Sequence, residues 1–530
     1  MAGAHTLVLR KWGIREEGAQ RVTTCVATRT RLLETRCLAL RSSSLAAGPT
    51  DRGKGVASCV QRVTKMGGSV RPILDGKDHP EPPSGVRRAK ASTGLKQPTG
   101  ENAFMTDTTA GEDNTSSLRT HMVDVLVHDG HLTDAGVERA MRTVPRHWFA
   151  PGADLETVHD PYQAVITKRD ENEVATSSVS APQIQAMMLE QAALRPGERV
   201  LEVGSGGYNA ALIAELVGPE GEVTTVDIDP EVTELATHLL KESRYDRVRV
   251  ITADADDGVP GHGPYDRIII TAGAWDIAPG WIDQLTADGR LVVPLRMRNL
   301  TRSLVLMRQG DHLVGEDPRI CGFVPMRGAG GHQETQILLR GNTSVALRFD
   351  DHVPIDPHAL DAVLLTERSE VWTGVTLAPQ ELISGLQMYL ATTLPGYCTL
   401  AVDPEQDAGP IQVTNPRFTM AAVDTSAAGA NFAYLITRKV SGRFEYGVHA
   451  FGSDAPHFAE VLADRIREWE RDHRNGPEPH IELYPTSTPI QNLPGQAVIT
   501  KRHWHIAFTW PSTTPDASNG HVPSNTTEGE

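Results

Sequence analysis

From about residue 118 onward the apolar positions fall into helical or strand-like patterns; before that they fall into neither. In 1–116 arginines interrupt each apolar run and no period is sustained, which predicts a disordered extension. The polar run TDTTAGEDNTSS after Met105 fits a translation start at Met105, with 1–104 dispensable. An Arg- and Ser-rich, acid-poor start is also the composition of a transit peptide. Leu118, Met122, Val125 and Leu126 then line one helical face, and Val137, Ala140 and Met141 line a second. Gly130 separates the two helices, Thr133 or Asp134 can cap the second, and Pro145 ends it. Asp170–Glu173 reads as a charged surface turn and Ser177-Ser178-Val179-Ser180 as a hydroxyl-rich loop. Ala181-Pro182 opens a helix carrying Ile184, Met187, Met188 and Leu189.

A regular alternation begins at Arg199. Val200–Val203 is short and apolar, as a buried parallel strand is, and Gly204-Ser205-Gly206-Gly207 follows at once. Tyr208–Val217 reads as a helix and Val223–Val226 as a strand ending at Asp227. Val232–Leu240 is the next helix, Val248–Thr252 a strand ending near Asp254, and Arg267–Thr271 another strand. A short helix over Trp281–Leu285 leads to the strand Arg290–Leu295. Ser303–Met307 and Ile320–Met326 read as strands closing the region near Gly331. This alternation predicts an α/β fold with a Rossmann-like, doubly wound sheet over 117–331. Over 340–510 the segments SVALRFD, CTLAVD, FAYLITRK, FEYGVHAF, HIELYP and HIAFTW read as strands. His358–Leu365, Pro379–Leu390 and Ala455–Asp472 read as helices, so 340–510 is expected to be a separate α+β domain, followed by a disordered tail at 511–530.

On a doubly wound sheet, ligands sit beyond the carboxyl ends of the strands. Glu202–Gly206, Asp227, Asp254 and Thr271-Ala272 all fall there, which gathers scattered segments into one site. Glycines admit backbone conformations that a Cβ forbids, and the following helix offers free N–H groups to a polar ligand. An acid at the tip of the next strand suits a ribose diol. The set therefore points to a nucleoside-type cofactor, NAD or S-adenosylmethionine (SAM). A G-x-G-x-x-G fingerprint would need glycine at position 209, which is Asn209. Glu202 just before the glycines suits the ammonium of SAM's methionine half, or fixes the loop through backbone N–H groups. No G-x-x-x-x-G-K-[ST] occurs, which excludes a P-loop.

Charge and cysteine usage narrow the partners. The net charge is −16, but 1–104 holds 18 Lys+Arg against 8 Asp+Glu, which leaves −26 on the remainder. An acidic body of that kind disfavours non-specific nucleic-acid binding and adhesion to anionic membrane. No apolar stretch approaches the ~20 residues of a membrane span. The five cysteines show no C-x-x-C spacing, which argues against a zinc site or a disulfide framework and for a cytoplasmic location. His503 and His505 read as an ordinary strand edge rather than a metal site.

LRTHMV, VPRHWFAP, SVSAP, VLEVGSGGYNAAL, VDIDPE, DRIIITAGA, GRLVVPL and CGFVPMRG occur in order over 118–331. Together they resemble the protein-L-isoaspartate O-methyltransferase family, class I SAM-dependent enzymes that esterify a side-chain carboxylate. The resemblance implies that Gly204–Gly206 hold the methionine part of SAM, Asp227 the ribose and Asp254 the adenine amine. The implied cofactor set is Glu202, Gly204, Ser205, Gly206, Asp227, Ile228, Asp254, Ala255 and Thr271, with no metal. Ser180, in SVSAP at the family's I-S-x-P serine, and Ser178 would position the substrate carboxylate; Ser180 could equally cap the following helix. A carboxylate is ionised at neutral pH, so alignment and water exclusion are the main demands.

Two departures stand out. The glycine loop is one residue short of the family's G-x-G-S/T-G-Y, and NEVATSSVS replaces the family's lead-in to the serine. These features and the added C-terminal region resemble the FxLD-system branch, which accompanies gene clusters for ribosomally made, modified peptides such as lanthipeptides. The implied substrate is one Asp of such a peptide, whose methyl ester closes to a succinimide and opens to isoaspartate. The competing expectation is repair of isoaspartyl damage in proteins. An NAD-linked oxidoreductase and a nucleic-acid methyltransferase are disfavoured, while the shortened glycine loop leaves open a SAM-binding module without turnover. The partner is a peptide or protein bearing the target Asp or isoAsp, and 340–510 either recognises it or serves as a scaffold.

Overall fold

The computed structural model describes residues 106–339, 344–351, 356–403, 409–425 and 430–511. The expectations for 1–104 and, beyond Pro511, for the tail lie outside the described residues.

The first helix, α1 (Thr106–His128), begins well before Leu118, so 106–116 is helical rather than an unordered lead-in. The apolar face of its second half supplies the nucleus from which the hydrogen-bond ladder extends over polar sequence. Helix α2 (Ala135–Thr143) is capped by Asp134, whose carboxylate accepts the N–H groups of Gly136 and Val137. A 3₁₀ turn at Arg146–Phe149 and one helical turn at Leu155–Val158 follow. The segment read as a hydroxyl-rich loop is instead half of an antiparallel hairpin, β1 (Val165–Arg169) with β2 (Ala175–Val179). Alternate burial along β2 explains it: Ala175, Ser177 and Val179 face inward while Thr176 and Ser178 are half-exposed. Asp170–Glu173 is its turn, closed by Asp170 accepting N–H groups from Asn172 and Val174. Helix α3 (Pro182–Ala192) follows directly.

Parallel strands then alternate with helices. They are β3 (Arg199–Val203), α4 (Tyr208–Val217), β4 (Glu222–Asp227), α5 (Pro230–Glu242), β5 (Arg249–Thr252), β6 (Tyr265–Ile270), α6 (Pro279–Asp283) and β7 (Leu285–Met297). The parallel order is β5-β4-β3-β6-β7, a doubly wound arrangement. Antiparallel β8 (Leu300–Gln309) and β9 (His312–Ile320) extend it. The expected strand over Ile320–Met326 is mostly irregular: Ile320 ends β9 opposite Arg302, and further on a Gly273–Pro325 bridge ties the segment to the residues after β6.

A second sheet is wholly antiparallel. It comprises β10 (Thr335–Leu338), β11 (Val345–Phe349), β12 (Ser369–Leu377), β13 (Tyr397–Val402), β14 (Thr419–Val423), β15 (Phe432–Val440) and β16 (Arg443–Phe451), in the order β10-β11-β13-β14-β15-β16-β12. Helices α7 (Pro357–Val363), α8 (Ser384–Thr393) and α9 (Ala455–Asp472) belong to this region. The expected boundary of 340–510 does not follow the sheets. Strands β17 (His480–Pro485), β18 (Ala497–Thr500) and β19 (Trp504–Thr509) return to the first sheet, β17 pairing with β9, and complete ten strands. One apolar core runs from Leu291, Leu295 and Leu304 of the first sheet to Leu390, Tyr397 and Trp469 of the second region. Among the described residues no helix is long and apolar enough to cross a membrane.

Candidate functional site

At the carboxyl edge of β3 and β4, about 850 Å³ free of atoms, partly open to solvent, is enclosed by the glycine turn, the β1–β2 hairpin and the 324–327 segment. Ser178, Ser180, Glu202, Gly204, Ser205, Gly206, Asp227, Ile228, Asp254, Ala255 and Thr271 all line it. The structure thus gathers every residue singled out from the sequence, and Asp227 and Ser180 share one cavity.

The glycine turn is fixed by sterics. Gly204 has φ +105, and a Cβ there would stand 2.3 Å from Thr271 Oγ1. Thr271 spends its hydroxyl on the carbonyls of Val203 and Gly204, at 3.0 Å each, so its role is to brace the turn. Gly207, at φ +83, precedes the first turn of α4. A Cβ on Gly206 would project toward the hairpin, 3.7 Å from the Ser178 carbonyl. Gly204 and Gly207 would drive a Cβ into Thr271 and Phe149, so of the three only Gly206 leaves space on the side of the hairpin. Ser205 lines the cavity, and its Oγ is buried and makes no hydrogen bond.

Glu202 is 1 % exposed and accepts hydrogen bonds from Asn209 Nδ2 (2.9 Å) and Thr225 Oγ1 (2.7 Å). Burial pushes its carboxyl up to about 7 despite those bonds. Asn209, the residue that broke the dinucleotide fingerprint, therefore has a task of its own. Asp227 accepts the Ser205 N–H at 3.2 Å and the Asp229 N–H at 2.9 Å, which ties the strand tip to the glycine turn. Asp254 caps a 3₁₀ turn through the Asp256 N–H (3.1 Å), and its other oxygen accepts the Ala329 N–H at 2.8 Å. Arg502, in the β18–β19 connection, donates to the Ala329 carbonyl at 2.8 Å, so the C-terminal strands hold the loop that holds Asp254.

Ser178 pairs with Ile166 within the hairpin. Ser180 is not a helix cap: Ala181 occupies that position and has no side-chain acceptor, and the Gln183 N–H is met instead by the Pro161 carbonyl at 3.0 Å.

Sequence reading passed over three cations. Lys168 donates to both Asp229 oxygens at 2.8 and 2.7 Å and pairs with Glu231 at 2.8 Å. Arg327 Nη2 approaches Asp229 at 3.3 Å and Asp227 at 3.7 Å. Burial works to raise the Asp229 carboxyl, but the Lys168 and Arg327 bonds override it and hold it below its ordinary value. Arg146 is fully buried behind the cavity wall. Only the VPRHWFAP motif flagged its neighbourhood, and nothing in the local pattern distinguishes a buried arginine from a solvated one.

Comparison with known proteins places this geometry. The model of the family "Protein-L-isoaspartate(D-aspartate) O-methyltransferase (PCMT)" matches residues 117–330. A protein-L-isoaspartate O-methyltransferase of Hyperthermus butylicus is 39% identical over 236 residues, 43% of this chain and 95% of that protein. Another, of Methanopyrus kandleri, is 37% identical over 224 residues, 41% of this chain and 95% of that protein. A solved protein-L-isoaspartate O-methyltransferase superposes with a TM-score of 0.39 at 20% identity, covering 69% of this chain and 96% of that one. A putative Plasmodium falciparum homologue solved with S-adenosyl-L-homocysteine gives 0.35 at 17% identity, covering 40% of this chain and 98% of that one.

Proposed function

The chain belongs to the protein-L-isoaspartate O-methyltransferase family and is an (iso)aspartate O-methyltransferase that uses S-adenosyl-L-methionine; from that premise, we propose that it methylates one Asp side chain of a ribosomally made, modified peptide. One observation carries this reading. The entrance beside Ser178 and Ser180 is lined by the β1–β2 hairpin, whose NEVATSSVS replaces the family's lead-in to the serine and whose Lys168 bonds Asp229.

The residues present fit the cofactor. Gly206 leaves space facing the hairpin, and Ser205 lines the cavity with its buried Oγ unpartnered. Gly204, Ser205 and Gly206 would hold the methionine portion with Glu202 behind them, Asp227 the ribose, and Ile228, Asp254 and Ala255 the base. Bound there, the cofactor supplies a methyl group on a positively charged sulfur. The substrate carboxylate needs no general base, being ionised at neutral pH. Ser178 and Ser180 donate hydrogen bonds that fix one carboxylate oxygen and leave the other facing the methyl. The hairpin and the 324–327 segment exclude water, so catalysis is mainly orientation. Once esterified, the Asp carbonyl is attacked by the next backbone nitrogen, methanol leaves, and hydrolysis of the succinimide gives Asp or isoAsp.

A second reading, repair of isoaspartyl residues in damaged proteins, is favoured by relatives of that name at 37–39% identity across 95% of their length. Mass spectrometry separates the two. The chain is incubated with SAM and either an isoaspartyl peptide or a precursor peptide encoded beside it. One methyl gained and methanol then lost on the precursor alone supports peptide modification. Turnover of generic isoaspartyl peptides with the precursor untouched overturns it.

A further inference from the structure

Arg146 is the largest polar side chain that the described core hides completely. Its guanidinium donates to the Val158 carbonyl (2.8 Å), Gln185 Oε1 (2.7 Å), the Ser180 carbonyl (2.8 Å) and, more weakly, the Val179 carbonyl (3.4 Å). Its charge also lies 5.0 Å from the centroid of the Tyr208 ring. All of these partners are neutral, and among the described residues no carboxylate pairs with it. Burial without a counter-charge is costly, since an ion withdrawn from water is normally repaid by an opposite charge. Burial pushes its pKa down to about 10, which still leaves the guanidinium charged at neutral pH.

Four of its contacts, Val179, Ser180, Gln185 and Tyr208, are themselves cavity wall. The charge is one layer behind the surface that faces the substrate. Inside the cavity the balance runs the other way: Glu202, Asp227 and Asp254 line it, and its one cationic lining residue, Arg327, leans toward Asp227 and Asp229. A carboxylate substrate entering this space meets acids on the cofactor side. It needs positive potential on the serine side, and a buried charge acts at longer range than an exposed one because little water screens it.

We propose that Arg146 is a positioning residue that supplies the positive potential selecting an ionised carboxylate at Ser180, while its fork fixes the Val179–Ser180 backbone. The inference rests on the carboxylate-methyltransferase reading. The missing counter-charge is then the substrate itself, present only when the site is loaded. Lysine can restore the charge but not the fork, because its three N–H donors radiate from one atom and cannot span the spread acceptors that the planar guanidinium reaches.

The test compares two ligands of the complex with S-adenosylhomocysteine: a peptide the wild-type protein methylates, and the same peptide with a carboxamide in place of the target carboxylate. Wild-type protein is expected to prefer the carboxylate by about tenfold or more, and Arg146→Gln to lose about that factor. Affinity for S-adenosylhomocysteine alone should stay within about threefold in both variants. Arg146→Lys should keep the preference while kcat falls, since the Ser180 carbonyl is released. Equal weakening of both peptides in Arg146→Gln, or loss of the preference in Arg146→Lys, overturns the proposal. Should the glutamine variant fail to fold, the lysine variant decides alone. Absence of methyl transfer by the wild-type protein would instead sink the functional reading.

Discussion

Glu202 gives the sharpest physical prediction. Its carboxyl is buried beneath the glycine turn and its pKa rises from the ordinary 4.5 to about 7. In the unfolded chain the proton leaves near 4.5, whereas in the folded protein it stays to about 7. The unfolded state therefore binds fewer protons across that window, and stability falls as pH rises through it. Each pKa unit is worth about 1.4 kcal/mol, so a rise of roughly 2.5 units costs on the order of 3 kcal/mol by pH 8. Glu202→Gln keeps the shape without the charge, and Asn209 and Thr225 can turn an acceptor toward its amide. Urea unfolding of both proteins without cofactor, at pH 5 and pH 8, reads the effect. The variant should gain on the wild type by ~2–3 kcal/mol between the two pH values, other titrations cancelling in the difference. Parallel stability curves for the two proteins would show that the carboxyl is not desolvated as the structure has it, and the reasoning fails.

Further outcomes follow from the same geometry. Gly204→Ala forces a Cβ against Thr271 at φ +105, and should cost roughly 3 kcal/mol in guanidinium unfolding from strain and the lost Thr271 bonds; a change under ~0.5 kcal/mol would contradict the turn geometry. Ser180→Ala should lower kcat by about 10- to 100-fold with thermal stability unchanged, because Ser180 caps nothing; a loss of about 1 kcal/mol instead would mark a cap. Arg502→Ala frees the Ala329 loop and should speed release of S-adenosylhomocysteine in stopped flow, with equal release rates counting against the link. Burial lowers the pKa of His147 and His159, so the folded protein takes up protons there less readily than the unfolded chain. Protonation of the unfolded chain as pH falls below about 6.5 should then erode stability, and replacing both with Gln should flatten that slope in thermal melts.

The site was largely legible because strand, glycine turn, helix and acid occur in one local order, and a doubly wound sheet sends every such strand tip to one edge. Ser180 and Asp254 could be placed there from motif order alone. Lys168, Arg327 and Arg146 could not, because an arginine or lysine reads the same whether it meets solvent, a neighbouring carboxylate or a ring of carbonyls. The β1–β2 hairpin was missed for a related reason: β2, Ala-Thr-Ser-Ser-Val, carries too little apolar contrast to show its period, and β1 is only five residues long with a charged end.

Local pattern by itself placed a good part of the elements: Ala455–Asp472 was read with its bounds unchanged, and HIELYP and HIAFTW as strands, while β12, β14 and the start of α8 at Ser384 escaped it. Which sheet those strands join was decided only in three dimensions. Burial period is a property of a strand's own side chains, whereas its pairing partner is chosen by an edge that lies far away in the sequence. So β17 finds β9, more than 160 residues earlier, and the β18–β19 connection brings Arg502 to the loop that grips Asp254.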